Sequence, residues 1–97
     1  MNQLSIYCSR DLAERVIATL DRAGVNGFLQ VREATGNRFQ EAGQLPRALT
    51  WEATLIVVPV VEEKRITGIV QELQKYADQC DIRPCLHVVV SPVVQAI

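Results

Sequence analysis

Apolar and polar residues alternate from Leu4 to Cys8, with Leu4, Ile6 and Cys8 set against Ser5 and Tyr7. That two-residue period predicts a strand with one buried face. From Leu12 the period lengthens. Leu12, Ala13, Val16, Ile17 and Leu20 recur at helical spacing, with Arg10, Glu14, Arg15, Asp21 and Arg22 on the other side. Ser9 suits the N-cap of this helix, and Asp11 places a carboxylate at the positive end of the helix dipole. Gly24 predicts the helix end, Asn26-Gly27 a turn, and about Phe28 to Ala34 a second strand.

A polar stretch of sixteen residues follows, Thr35 to Thr50, reading TGNRFQEAGQLPRALT. Most connections in compact domains span about 4–6 residues, and loops beyond roughly 12–15 are usually binding loops or disordered. This segment is therefore expected to be an exposed working loop. Trp51 to Val60 then carries the strongest strand signal, since Leu55-Ile56-Val57-Val58 is apolar on both faces, as in a central strand. Pro59 is expected at its end or at an edge, because proline donates no ladder hydrogen bond. A second amphipathic helix is predicted from about Glu62 to Asp78, with Ile66, Ile69, Val70, Leu73 and Tyr76 or Ala77 on one stripe. Pro84 closes a short connection, and Cys85 to Val90 reads as the last strand.

The order strand-helix-strand, strand-helix-strand predicts an α+β, ferredoxin-like βαββαβ domain over residues 1–97. Its four-stranded antiparallel sheet should carry both helices on one face, with the first and third strands central. Two helices cover only one face. Ile56, Val58, Val60, Val89 and the tail Val93-Val94 are assigned to the other, where a large apolar patch calls for oligomerisation, most simply a closed symmetric ring.

Composition narrows the classes. A near-balanced charge of -1 with scattered Lys and Arg gives no basic patch for nucleic acid, and low aromatic content disfavours a base-stacking RNA module. The apolar runs fall well short of the roughly 20 residues that cross a bilayer. The start, MNQLSIYCSRDL, lacks signal-peptide features, and three cysteines are too few for a secreted disulfide scaffold. The expectation is a soluble, cytoplasmic protein.

Two constellations carry candidate chemistry. Gly36, Asn37 and Arg38 open the polar segment, where backbone N–H groups and a guanidinium fork would hold a phosphate or carboxylate; the alternative is a plain turn with a solvated arginine. Phe39, Glu41 and Arg47 belong to the same segment. The second set is Cys80, Cys85 and His87 with Cys8, soft ligands suited to Zn or Cu, although the spacing matches no standard finger and buried cysteines often merely pack. Cys85 and His87 are expected on one sheet face, with Cys8 on the neighbouring strand. In a reducing compartment a Cys80–Cys85 disulfide is not expected. Catalysis is not expected either. His87 beside Cys85 lacks an orienting third group, and Glu62-Glu63 is explained by the helix dipole.

The chain resembles the PII signalling superfamily, trimeric ferredoxin-like regulators that include nitrogen-regulatory PII and CutA proteins. The resemblance spans nearly the whole chain. GVNGFLQVREATGNRFQEAG is similar to the family's second strand leading into its exposed T-loop. ALTWEATLIVVPVVEEKRITGIVQELQKY is similar to the third strand and second helix, and HVVVSPVV to the last strand. The resemblance implies a homotrimer with a small effector, such as an adenine nucleotide, in the cleft between subunits. It also implies a loop that signals to a protein partner such as a transporter or enzyme; a CutA-like metal-tolerance role is the alternative. The chain departs from the ATP-binding members between the second helix and last strand. There DQCDIRP has no glycine, and Arg83 is its one cation. The loop is also shorter than in nitrogen-regulatory PII and has no tyrosine to be modified.

Overall fold

The structure is a computed structural model that describes residues 1–39, 48–80 and 85–95. Strand β1 (Asn2–Ser9) is followed by a 3-10 turn, Arg10–Leu12, and helix α1 (Ala13–Arg22). Then come β2 (Leu29–Phe39), β3 (Ala48–Val61), α2 (Glu63–Asp78) and β4 (Leu86–Pro92). The strands form one antiparallel sheet in the order β2-β3-β1-β4, so the first and third strands are central, as expected for the ferredoxin-like arrangement.

The core lies between the sheet and the two helices. Leu4, Ile6 and Cys8 of β1 are fully buried, together with Val16 and Leu20 of α1 and Leu73 of α2, and Ile69 is 1% exposed. Each fully buried aliphatic side chain of this size contributes about 1.5–3 kcal/mol. Thr19 and Tyr76 tie the helices together by a 3.1 Å hydrogen bond between their hydroxyls, and Arg22 donates to both oxygens. The Thr19 hydroxyl and the Arg22 guanidinium lower the pKa of the Tyr76 phenol.

Helix starts differ from the sequence expectation in one respect. Ser9 occupies the N-cap position of the 3-10 turn but makes no side-chain cap bond. Its hydroxyl turns instead to the Cys85 carbonyl, 3.4 Å away. Gly24 ends α1 with φ +77°, a left-handed conformation natural to glycine, and a Cβ there would collide with the Arg65 guanidinium that donates to the Ala23 carbonyl. Pro59 falls where the β1–β3 register shifts between Asn2↔Val61 and Leu4↔Val58, beyond the last β2 partner at Val57. A bulge on a strand with no neighbour to that side tolerates a missing N–H.

The register also corrects which side chains the helices leave uncovered. Ile56 stands opposite the buried Ile6 and Val58 opposite Leu4, so both point to the helices and are at most 1% exposed. Leu55 and Val57 take the open face instead, opposite Tyr7 and Ser5. Leu29, Val31 and Val89 join them there through their pairing with Val57, Leu55 and Ser5. Val60 is exposed, Val93 half-buried and Val94 exposed. The open face is apolar as expected, but mostly through other residues.

Candidate functional site

Past Ser9 the sheet narrows to two strands. The β1–β3 ladder ends at Ser9↔Ala53, while β2 and β3 continue to pair from Thr35↔Glu52 out to Phe39↔Ala48. Of the segment expected as a loop, Thr35–Phe39 and Ala48–Thr50 therefore form the two strands of an antiparallel ribbon that continues beyond β1. Gly36, Asn37 and Arg38 lie within β2, and Phe39 is its last residue. Glu41 and Arg47 lie outside the described residues, as does Arg83.

Strand geometry changes what these residues offer an anion. Consecutive N–H groups of a strand point to opposite edges. The Gly36 and Asn37 amides thus cannot converge on one anion, as a cradle requires. One enters the ladder with β3, and the other faces the free edge of β2. The strand therefore offers an anion at most one outward backbone donor from this pair.

Two features anchor the ribbon at its root. The β2–β3 register shifts between Val31 and Ala34, leaving an extra residue at Arg32-Glu33 opposite Thr54. The Thr54 hydroxyl, on a residue 2% exposed, donates to the Arg32 carbonyl at 3.0 Å and satisfies the bulge. From the 3-10 turn, Arg10 reaches the ribbon twice, with Nη2 donating to the Ala34 carbonyl and Nη1 pairing with the Glu52 carboxylate, each at 3.5 Å. Sequence reasoning missed both residues, because neither contact has a local pattern. Glu52 at the base of the segment was the one available signal.

The four candidate metal ligands do not converge. Cys8 is fully buried on the helix side of β1, while His87 stands opposite Tyr7 on the open face, its ring 6.4 Å from the tyrosine ring. Cys85 precedes β4 and is buried, so it does not share the face of His87. Cys80 and Cys85 are joined to each other as a disulfide, contrary to the sequence expectation, with Cα atoms 6.3 Å apart. While so joined, neither sulfur is available as a thiolate ligand. No group of three or more His, Cys, Asp or Glu side chains able to hold a metal occurs among the described residues. Burial, and secondarily the Asp11 carboxylate, push the Cys8 thiol up from 9.0 to about 11, so it stays protonated and unreactive near neutral pH.

No protein-family model matches the chain. Solved structures do. The chain superimposes with a TM-score of 0.67 on the nitrogen regulatory PII-like protein CPII from Thiomonas intermedia K12, bound to ADP, AMP and bicarbonate, at 20% identity over 99% of this chain and 94% of that one. The fold is that of the PII-like proteins. The apo form of CPII aligns at TM-score 0.69 and 22% identity over 92% and 84% of the two chains. GlnK from B. subtilis in complex with ATP aligns at 0.67 and 14% identity over 95% and 81%. By sequence, the chain is 27% identical to a ribosomal RNA large subunit methyltransferase M of Aggregatibacter aphrophilus (strain NJ8700). That match takes in 93% of this chain but 30% of the methyltransferase, so the chain spans under a third of that protein's length. No helix among the described residues is long and apolar enough to cross a membrane.

Proposed function

We propose that this protein is a non-enzymatic regulatory sensor of the PII-like kind. In this reading it acts in the cytoplasm as a homotrimer, binds an adenine nucleotide in the cleft between subunits, and signals through residues 35–50 to a protein partner such as a transporter or enzyme. The observation that carries the reading is the β2–β3 ribbon standing free beyond Ser9 on a PII-like sheet. A segment without a third strand beside it can change its pairing without disturbing the core. A ligand shifts such a segment only if it binds one of its states better than the other.

Three further observations support it. CPII and GlnK, of the same fold, hold ADP, AMP or ATP. The open sheet face carries exposed Tyr7, Leu29, Val31 and Val89, a surface suited to burial against other copies. Arg38 lies within the ribbon part of β2, and a guanidinium is a residue type suited to pairing with a phosphate. In the disulfide-bonded form, a metal-handling role of CutA type lacks two of its four ligands, and the other two, Cys8 and His87, lie on opposite faces of the sheet.

Calorimetric titration of the purified protein with ATP, ADP and AMP tests the proposal, alongside light scattering for the mass. Saturable heat with at least one nucleotide, on a particle of three chains, is the expected result. No heat with any of the three, on a correctly folded protein, overturns the nucleotide-sensor reading.

A further inference from the structure

The Cys80–Cys85 disulfide spans the connection from α2 to β4, at a sequence separation of 5. Disulfides stabilise most when they close long loops, so this one constrains local geometry far more than it constrains the unfolded chain. Its two ends differ. Cys80 is half-buried and Cys85 is 8% exposed, and both border an open cleft of about 370 Å³ lined also by Ser9, Asp11 and Arg15. A small thiol can therefore approach the Cys80 sulfur.

The far side of Cys85 connects to the ribbon. Its carbonyl accepts the Ser9 backbone N–H at 2.8 Å and the Ser9 hydroxyl at 3.4 Å. Ser9 is the last residue of β1, and its neighbour Arg10 grips the ribbon root at Ala34 and Glu52. A continuous chain of bonds thus runs from the disulfide through Cys85, Ser9 and Arg10 to the part of the molecule proposed to signal.

We propose that the Cys80–Cys85 disulfide is a reversible redox switch that sets how firmly the β2–β3 ribbon is held. This rests on the reading of the ribbon as the signalling segment and of the protein as cytoplasmic, where disulfides are usually transient or redox-sensing. In the reducing direction, the thiolate of a small thiol attacks Cys80 Sγ, the sulfur–sulfur bond breaks, and Cys85 leaves as a thiolate that takes a proton from solvent. A second small thiolate attacks the mixed disulfide at the small-molecule sulfur, releasing Cys80, which is protonated in turn. Two electrons pass from two small thiols to the protein, yielding two cysteine thiols and one small disulfide. Reoxidation by a small disulfide runs the same steps backwards. Reduced, Cys85 is held to the end of α2 through the main chain alone, and the Ser9–Arg10 anchor loosens with it.

The test uses the full chain without nucleotide, so that it is independent of the sensor reading. The protein is equilibrated in glutathione buffers from reduced to oxidised, quenched, and its thiols trapped under denaturing conditions for mass spectrometry. The expected result is one reversible transition between three trapped thiols and one, the last being Cys8. Hydrogen exchange of the two forms should then show the Ser9 and Arg10 amides and the Thr35–Phe39 strand exchanging about fivefold faster when reduced, the effect of losing one net hydrogen bond. Cys80→Ser should exchange like the reduced form at every poise, and Cys8→Ser should leave the transition in place. Three trapped thiols throughout, one trapped thiol even with excess dithiothreitol, or equal ribbon exchange in both forms would each overturn the switch. Nucleotide binding can succeed or fail separately.

Discussion

Arg10 and Glu52 meet across the root of the ribbon, Nη1 to Oε2 at 3.5 Å, each one residue beyond the Ser9↔Ala53 pair that closes the β1–β3 ladder. The same guanidinium donates to the Ala34 carbonyl on β2. One side chain thus touches both strands of the ribbon at the point where β1 stops supporting them. Glu52 is largely exposed, so the contact adds little to global stability and much to where the ribbon starts.

Replacing Arg10 by alanine should therefore change the unfolding free energy by no more than about 1 kcal/mol, the range of a surface ion pair. Amides of Thr35–Phe39 should nevertheless exchange faster. Urea unfolding and hydrogen exchange on the same sample separate the two effects. A large loss of global stability with unchanged ribbon exchange would show that Arg10 serves the fold instead.

If an adenine nucleotide binds at the ribbon, Arg38 is its main cation, because the strand leaves only one outward backbone donor beside it. Arg38→Ala should cost about 1.5–3 kcal/mol of binding, the value of a hydrogen bond to a charged group. That is roughly a 10- to 150-fold loss of affinity. Calorimetry on both proteins measures it, and equal affinities would place the phosphate elsewhere.

The open sheet face predicts the assembly. Val31 is 43% exposed beside Leu29 and opposite Leu55, so glutamate there leaves the helix-side core intact. Burying that carboxylate against another copy without a partner is strongly unfavourable. Val31→Glu should lower the mass seen in light scattering from three chains to one while the circular dichroism spectrum stays unchanged. A mass that does not move means that this face is not the interface.

Leu73 is fully buried between α2 and the sheet. Leu73→Ala removes its transfer energy and leaves a cavity, and should destabilise by about 2–5 kcal/mol. Denaturant midpoints at constant slope provide the measure. An effect below that range would mean that the helix–sheet layer collapses around the gap.

The Cys8 thiol gives alkaline stability a definite sign. Its folded pKa of about 11 lies above the ordinary 9.0, so below pH 9 both states are protonated and nothing is lost. Between pH 9 and about 11 the unfolded thiol ionises while the folded one does not, so stability falls as pH rises through that window. The loss is at most roughly 2–3 kcal/mol, since each unit is worth about 1.4. Cys8→Ala should flatten that part of the profile; an unchanged slope would assign the effect to other groups.

The amphipathic periods were legible because they are local. The change from alternation at Leu4–Cys8 to helical spacing at Leu12–Leu20 locates β1 and α1, and the Ile66–Leu73 stripe locates α2. Their order alone implies the ferredoxin-like arrangement with β1 and β3 in the centre. The ribbon was not legible. Thr35–Phe39 shows no apolar alternation in its sequence, and main-chain pairing with Ala48–Glu52 makes it a strand.

By itself, the sequence determined the element order, the helix faces and the presence of an uncovered apolar sheet surface, since burial leaves a periodic trace along a helix or a half-buried strand. Tertiary structure decided which residues form that surface. Leu55-Ile56-Val57-Val58 is apolar throughout, and only the pairing of Ile6 with Ile56 sends Ile56 and Val58 inward and Leu55 and Val57 outward. It also separated Cys8 from His87 across the sheet, joined Cys80 to Cys85, and brought Arg10 to Glu52. Those are contacts between residues distant in sequence or on opposite sides of a backbone, and register and chain crossing, which no local pattern encodes, set them.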